Sequence, residues 1–178
     1  WDRMMELLHQ FRPDTRDMVA MRGQTAGNFT VTGPANRPEV RPAYRGVDGG
    51  SQLSWAGGEI MGLAIGGATL PVRLHEGRVE LPATPVEASG GTLRLAGHVD
   101  LTGEEPVYML GGAHRVLDGI VVDRDVSNKL LSRFNPIFAE MLEVDGRLTL
   151  DVADLALPLG EGITSGGSGR GRIDLSEM

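Results

Sequence analysis

Apolar residues in this chain recur at every second position in short runs, and glycine ends nearly every run. That pattern constrains the fold more than any other feature. Successive side chains of an extended strand point to opposite sides, so each such run is a strand with one apolar and one polar face. Leu53 and Trp55 open the series. Leu63 and Ile65 follow, then Leu70, Val72 and Leu74 opposite Arg73 and His75, then Val79 and Leu81 after Glu76-Gly77. The clearest run sets Leu93, Leu95, Gly97, Val99 and Leu101 against Thr92, Arg94, Ala96, His98 and Asp100. A one-residue slip there would invert both faces, so its register is specified.

Further strands are expected at Asn28 to Thr32, at Pro106 to Leu110, and at Arg115 to Val122 with an interruption at Asp118-Gly119. Leu148, Leu150 and Val152 resume the alternation opposite Arg147, Thr149 and Asp151, Pro158 ends it, and Arg170 to Leu175 forms the last strand. Short Gly-containing connections imply an antiparallel meander, because parallel strands need long crossovers. The 26 glycines and 10 prolines fit many turns and few long helices.

Two segments switch to the helical period. Trp1, Met4, Met5, Leu7, Leu8 and Phe11 form one stripe that Pro13 ends. Leu130, Leu131, Phe134, Ile137, Phe138 and Met141 form a second, with Ser127 placed to cap its start and Asn135-Pro136 predicting a kink or a helix pair. This second stripe is read as packing on the sheet or as a lid. The expected fold is therefore mainly β with a minor α part. It is a curved antiparallel meander, an open groove or taco-like sheet, with one amphipathic helix near the N-terminus and one kinked helix or pair around 127–142. Residues 1–178 read as a single module: helix 1–13, meander 18–125, helix 126–142 and terminal strands 146–178. The start at Trp1, without an initiator Met, predicts a fragment of a longer chain.

About nine one-sided strands pose a physical problem, since exposed apolar surface costs roughly 25 cal/mol per Å². A closed sandwich is one solution, but such cores are filled by large aromatics, and this chain has two Trp, two Tyr and four Phe. The other solution is partial cover by the helices, leaving a trough of Leu, Ile and Val suited to acyl chains.

Charge and motifs exclude several alternatives. A net charge of −7 without a basic run argues against nucleic acid. Zero Cys excludes disulfides, thiolate metal sites and a Cys nucleophile, and leaves the redox compartment open. His9, His75, His98 and His114 lack metal-site spacing. Gly167-Ser168-Gly169-Arg170-Gly171 precedes a strand where a phosphate loop would open a helix, and Glu104-Glu105 reads as a solvated turn. The Asn28-Phe29-Thr30 sequon is short enough to arise by chance. No nucleophile, metal set or cofactor site stands out, so no catalytic, metal or cofactor-binding residue is expected and the chain is read as no enzyme.

The order of elements resembles one known family. A Gly-spaced meander, Gly77-Arg78-Val79-Glu80-Leu81 through Gly90-Gly91-Thr92-Leu93-Arg94-Leu95, precedes the Leu130 to Met141 helix with Asn135-Pro136. Asp145-Gly146-Arg147-Leu148-Thr149-Leu150, Leu157-Pro158-Leu159 and Gly171-Arg172-Ile173-Asp174-Leu175 follow. In that order these segments resemble the C-terminal region of the AsmA-like/TamB-like bacterial envelope proteins, over Gly50 to Ser176. The resemblance implies a repeating β-groove that shields phospholipid or another acyl lipid during outer-membrane lipid transport. It also implies a periplasmic location, an N-terminal membrane anchor on the parent chain, and contacts with other parent segments and envelope proteins. Leu93, Leu95, Leu148, Leu150 and Val152, and beyond them Val72, Leu74, Val79 and Leu81, match the family's groove-facing alternation. A self-covered structural or interaction module of a large envelope protein is the alternative.

Overall fold

The computed structural model describes residues 19–23, 30–33, 46–103, 105–132, 146–159 and 166–176. They form one antiparallel, open, curved sheet. Its strands are β1 (Val19–Arg22), β2 (Thr30–Thr32), β3 (Asp48–Ile60), β4 (Leu63–His75), β5 (Arg78–Ala88), β6 (Gly91–Asp100), β7 (Val107–Val122), β8 (Gly146–Pro158) and β9 (Ser168–Ser176). The spatial order from β3 to β9 is the chain order, as in a meander. β1 and β2 share the free side of β3, β1 against Gly57 to Ile60 and β2 against Asp48 to Gly50.

Local chemistry accounts for the tight meander. Three consecutive hairpins turn on Met61-Gly62, Glu76-Gly77 and Ser89-Gly90, and in each both central residues have positive φ: 51° and 84°, 47° and 80°, 39° and 74°. Ile60↔Leu63, His75↔Arg78 and Ala88↔Gly91 close them. Two residues with positive φ define the type I′ turn, whose twist matches that of the strands it joins.

Curvature comes from bulges, most of them on β7. Between Gly111 and His114, β7 uses one residue more than β8 does between Asp154 and Val152, and the same shift recurs at Arg115/Leu117 and at Leu117/Ile120. Against β6, Leu117 to Met109 spans three residues more than Leu93 to His98. Each extra residue bends its strand and increases the twist. The interruption expected at Asp118-Gly119 is thus a set of bulges inside one continuous strand, and Pro106 to Leu110 and Arg115 to Val122 are not separate strands. The β4/β5 seam behaves differently. It pairs at Ile65↔Ala88 and again from Arg73↔Glu80 to His75↔Arg78, with no paired residues between. Pro71 lies on one side of that gap and Pro82 and Pro85 on the other, none with an N–H to donate.

A short helix covers one end of the apolar face. α1 (Arg124–Val126) continues as a π-helical turn over Ser127–Leu131. Asp123, not Ser127, is its N-cap, because the Asp123 carboxylate accepts the Val126 N–H at 2.9 Å and Ser127 is buried within the next turn. Val126, Leu130 and Leu131 join Trp55, Leu63, Ile65, Val86, Leu93, Ile120 and Leu148 in one apolar cluster. Removing a side chain such as Leu131, 1% exposed, from water contributes roughly 1.5–3 kcal/mol. Lys129 Nζ reaches Glu59 Oε1 at 2.6 Å and ties the helix to β3. The N-terminal helix expected over 1–13, and Phe134, Asn135-Pro136, Ile137, Phe138 and Met141 of the second helix, lie outside the described residues.

Candidate functional site

The register sorts the predicted apolar positions into two groups along the strands. Toward the helix, Leu93 (7% exposed) and Leu148 (1%) are covered by the chain itself, and Val152 (9%) is buried in a separate small cluster with Leu110. Leu130 (8%) and Leu131 (1%) are buried in the same cluster as Leu93 and Leu148. Val72, Leu81, Leu95 and Leu150 are half-buried and pack against the rim of that cluster. Leu74 and Val79 are also half-buried, but they belong to neither of the two apolar clusters.

Following Leu74 and Val79 across the sheet reveals a row at the end away from the helix. Gly49 pairs with Leu74, Leu74 with Val79, Val79 with Val99, Val99 with Tyr108, and Tyr108 with Leu157. Directly paired residues share a face, so five apolar side chains from β4 to β8 lie side by side on the surface that carries the core. All five are half-buried. The apolar face is therefore sealed at the helix end and only partly covered at the other. Val99 was visible in the alternation, but Tyr108 and Leu157 join the row only through cross-strand register.

One alternation assignment is overturned. Ala96 was placed on the polar side, yet it is 8% exposed and clusters with Leu110 and Val152. The cause is the irregularity between Leu93 and His98, where Gly97 adopts φ +116°. An alanine at Gly97 would bring its Cβ to 2.6 Å from the Met109 carbonyl oxygen. The Tyr108 hydroxyl donates to the Ala96 carbonyl at the same place, and burial raises the Tyr108 pKa.

The opposite face is charged and internally paired. Arg115 donates from Nε to Asp151 Oδ1 at 2.9 Å and lies 3.5 Å from Asp118, which also meets Arg94 at 3.5 Å. Asp151 pairs in register with Arg172, and Arg172 donates to Asp174 at 2.8 Å. Asp154 accepts from Arg170. The hydrogen bond from Arg115 holds the Asp151 carboxyl below the usual range, and Arg170 does the same for Asp154. Arg and Asp thus alternate across β6, β7, β8 and β9, each neutralising its neighbours.

At the β2 corner of the sheet, a solvent-open pit of about 430 Å³ is lined by Thr30, Thr32, Asp48, Arg73, His75 and Glu80. His75 Nδ1 lies 2.6 Å from Asp48 Oδ1, and that hydrogen bond and charge raise the His75 pKa. His75 is 65% exposed, as its alternation with apolar neighbours predicted. Among the described residues no three His, Asp or Glu side chains converge in a way that could hold a metal ion. No helix among them is long and apolar enough to cross a membrane. Comparison of the chain with protein-family models, curated proteins and solved structures finds no match.

Proposed function

We propose that this chain is a non-catalytic, lipid-handling segment of an AsmA-like periplasmic protein, whose open apolar end shields acyl chains from water. One observation carries the reading: Leu74, Val79, Val99, Tyr108 and Leu157 form a half-buried row across five strands of an open sheet. Four aliphatic side chains and a tyrosine whose hydroxyl is already bonded to the Ala96 carbonyl suit a hydrocarbon chain, which needs contact and exclusion of water but no hydrogen bond. In this reading the charged face keeps the other side in water, and the helix end acts as a closed floor against which the trough stops. A membrane anchor on the parent chain and contacts with envelope partners belong to the same proposal.

The test is native mass spectrometry of gently purified protein together with uptake of a fluorescent acyl probe. Val79→Asp and Val99→Asp lie on the half-buried row, so each is expected to stay folded and lose lipid. Absence of co-purifying lipid together with absence of probe uptake by the unsubstituted protein refutes the proposal. The burial of Leu93, Leu148 and Val152 favours a second reading, a self-covered structural or interaction module. On that reading the Val79 and Val99 substitutions change neither folding nor probe fluorescence, because there is no uptake to lose.

A further inference from the structure

The two edges of the sheet are unlike. One is divided between β1 and β2, of four and three residues, which offer little continuous backbone to another strand. The other is β9, nine residues long and paired on one side only, with β8, among the described residues. It contains no proline, and on the apolar face it carries Ile173 (37% exposed) and Leu175 (43% exposed). These continue Leu150 and Leu148, with which they pair. A long, regular edge with unpaired backbone groups is a template for strand addition unless something blunts it. Arginines commonly do that, but Arg170 and Arg172 are each already paired with a carboxylate.

We propose that the occupant of this edge is β9 of a second copy, added antiparallel about a two-fold axis through Ile173. In that register Ile173 faces Ile173 of the second copy, and Gly171 faces its Leu175, so each leucine lies over a residue without a side chain. On the charged face Arg172 faces Asp174 of the second copy, and Asp174 faces its Arg172. The cross-strand row Arg115↔Asp151↔Arg172 then gains an aspartate as its next member, and its alternation of sign continues through the axis. Moving the axis one residue, to Arg172, would set two arginines against each other, so charge selects the register. The interface is isologous and closes at two copies; pairing β9 to the β1 and β2 edge would propagate a filament. This inference does not depend on lipid binding.

Cysteine substitution reads the register directly, because the chain has no cysteine of its own. Directly opposed residues bring their Cβ atoms to about 4.5–5.5 Å, close to disulfide reach. Under mild oxidation Ile173→Cys is expected to cross-link two copies nearly completely, while Leu175→Cys, which faces Gly171, does not. Sedimentation velocity should show a concentration-dependent dimer. Asp174→Arg should weaken it by about tenfold or more, since like charges directly opposed are destabilising. Within its own chain Asp174 sits opposite the neutral Thr149 and accepts from Arg172, so the variant also exchanges that ion pair for two neighbouring arginines on the exposed face. Circular dichroism checks that it stays folded. A monomer at every concentration, or equal cross-linking at positions 173 and 175, overturns the proposal. A dimer unaffected by Asp174→Arg overturns it as well.

Discussion

Gly62 and Gly90 occupy the same position in two turns of the same type, and substituting each with alanine should separate backbone strain from helix docking. Both have positive φ, +84° and +74°. An alanine forced into that conformation costs about 1–2 kcal/mol at either site. Their surroundings differ. A Cβ on Gly90 would meet the Val121 Cγ2 methyl at 3.0 Å, which can yield by a few tenths of an ångström. A Cβ on Gly62 would lie 2.5 Å from the Asp125 carbonyl oxygen and 2.7 Å from its carbon, at the start of α1. Backbone at that distance has to retreat, and it carries Val126, Leu130 and Leu131 with it. Overpacking of this kind costs a further ~1–3 kcal/mol. We therefore expect Gly90→Ala to lose about 1–2 kcal/mol and Gly62→Ala about 2–5 kcal/mol. Urea unfolding followed by circular dichroism measures both, compared at constant m so that the midpoints report stability. Losses equal to within about 0.5 kcal/mol, the usual error of additivity, would refute the seating of the helix on the β3–β4 turn.

Four other outcomes follow from the same geometry. Glu76→Asn should stabilise the chain by roughly 0.5–1 kcal/mol in the same urea assay, because Asn tolerates positive φ better than Glu at the first position of a type I′ turn. Asp123→Ala removes the side-chain acceptor of the Val126 N–H and should cost about 1 kcal/mol, with Asp123→Asn largely restoring it. Leu148→Ala, at a site 1% exposed, should cost about 2–5 kcal/mol, whereas Val79→Ala on the half-buried row should cost about 1 kcal/mol or less. The His75 pKa is raised in the folded protein by Asp48, so the bond's contribution is complete below the ordinary His value of 6.5. It is lost as pH rises through the higher folded value. NMR titration of the His75 ring should show that raised midpoint, and Asp48→Asn should return it toward the ordinary value.

Much of this architecture was legible in the residues because strand periodicity and turn chemistry are local. Alternation at Leu70 to Leu74, Leu93 to Leu101 and Leu148 to Val152 assigns one side of each strand to the core before any partner is known. X-Gly pairs at 76–77 and 89–90 join neighbours at two-residue spacing, which leaves an antiparallel meander as the outcome. The bulges of β7 were not legible. They arise when a strand must match two neighbours of different length, and no single segment contains that information. For that reason β7 reads as divided at Asp118-Gly119, and the irregularity of β6 at Gly97, which turns Ala96 to the core, is equally invisible in the alternation.

The sequence alone determined that this would be a one-sided, many-turned sheet with too few aromatics to fill a conventional sandwich. Those properties follow from the order of side chains along an extended backbone. Only the tertiary structure decided which apolar residues are sealed and which remain half-covered, because burial is set by what lies across the strands. Leu93 and Val79 read alike in the chain; one belongs to the helix-covered cluster, and the other is half-buried and belongs to neither cluster.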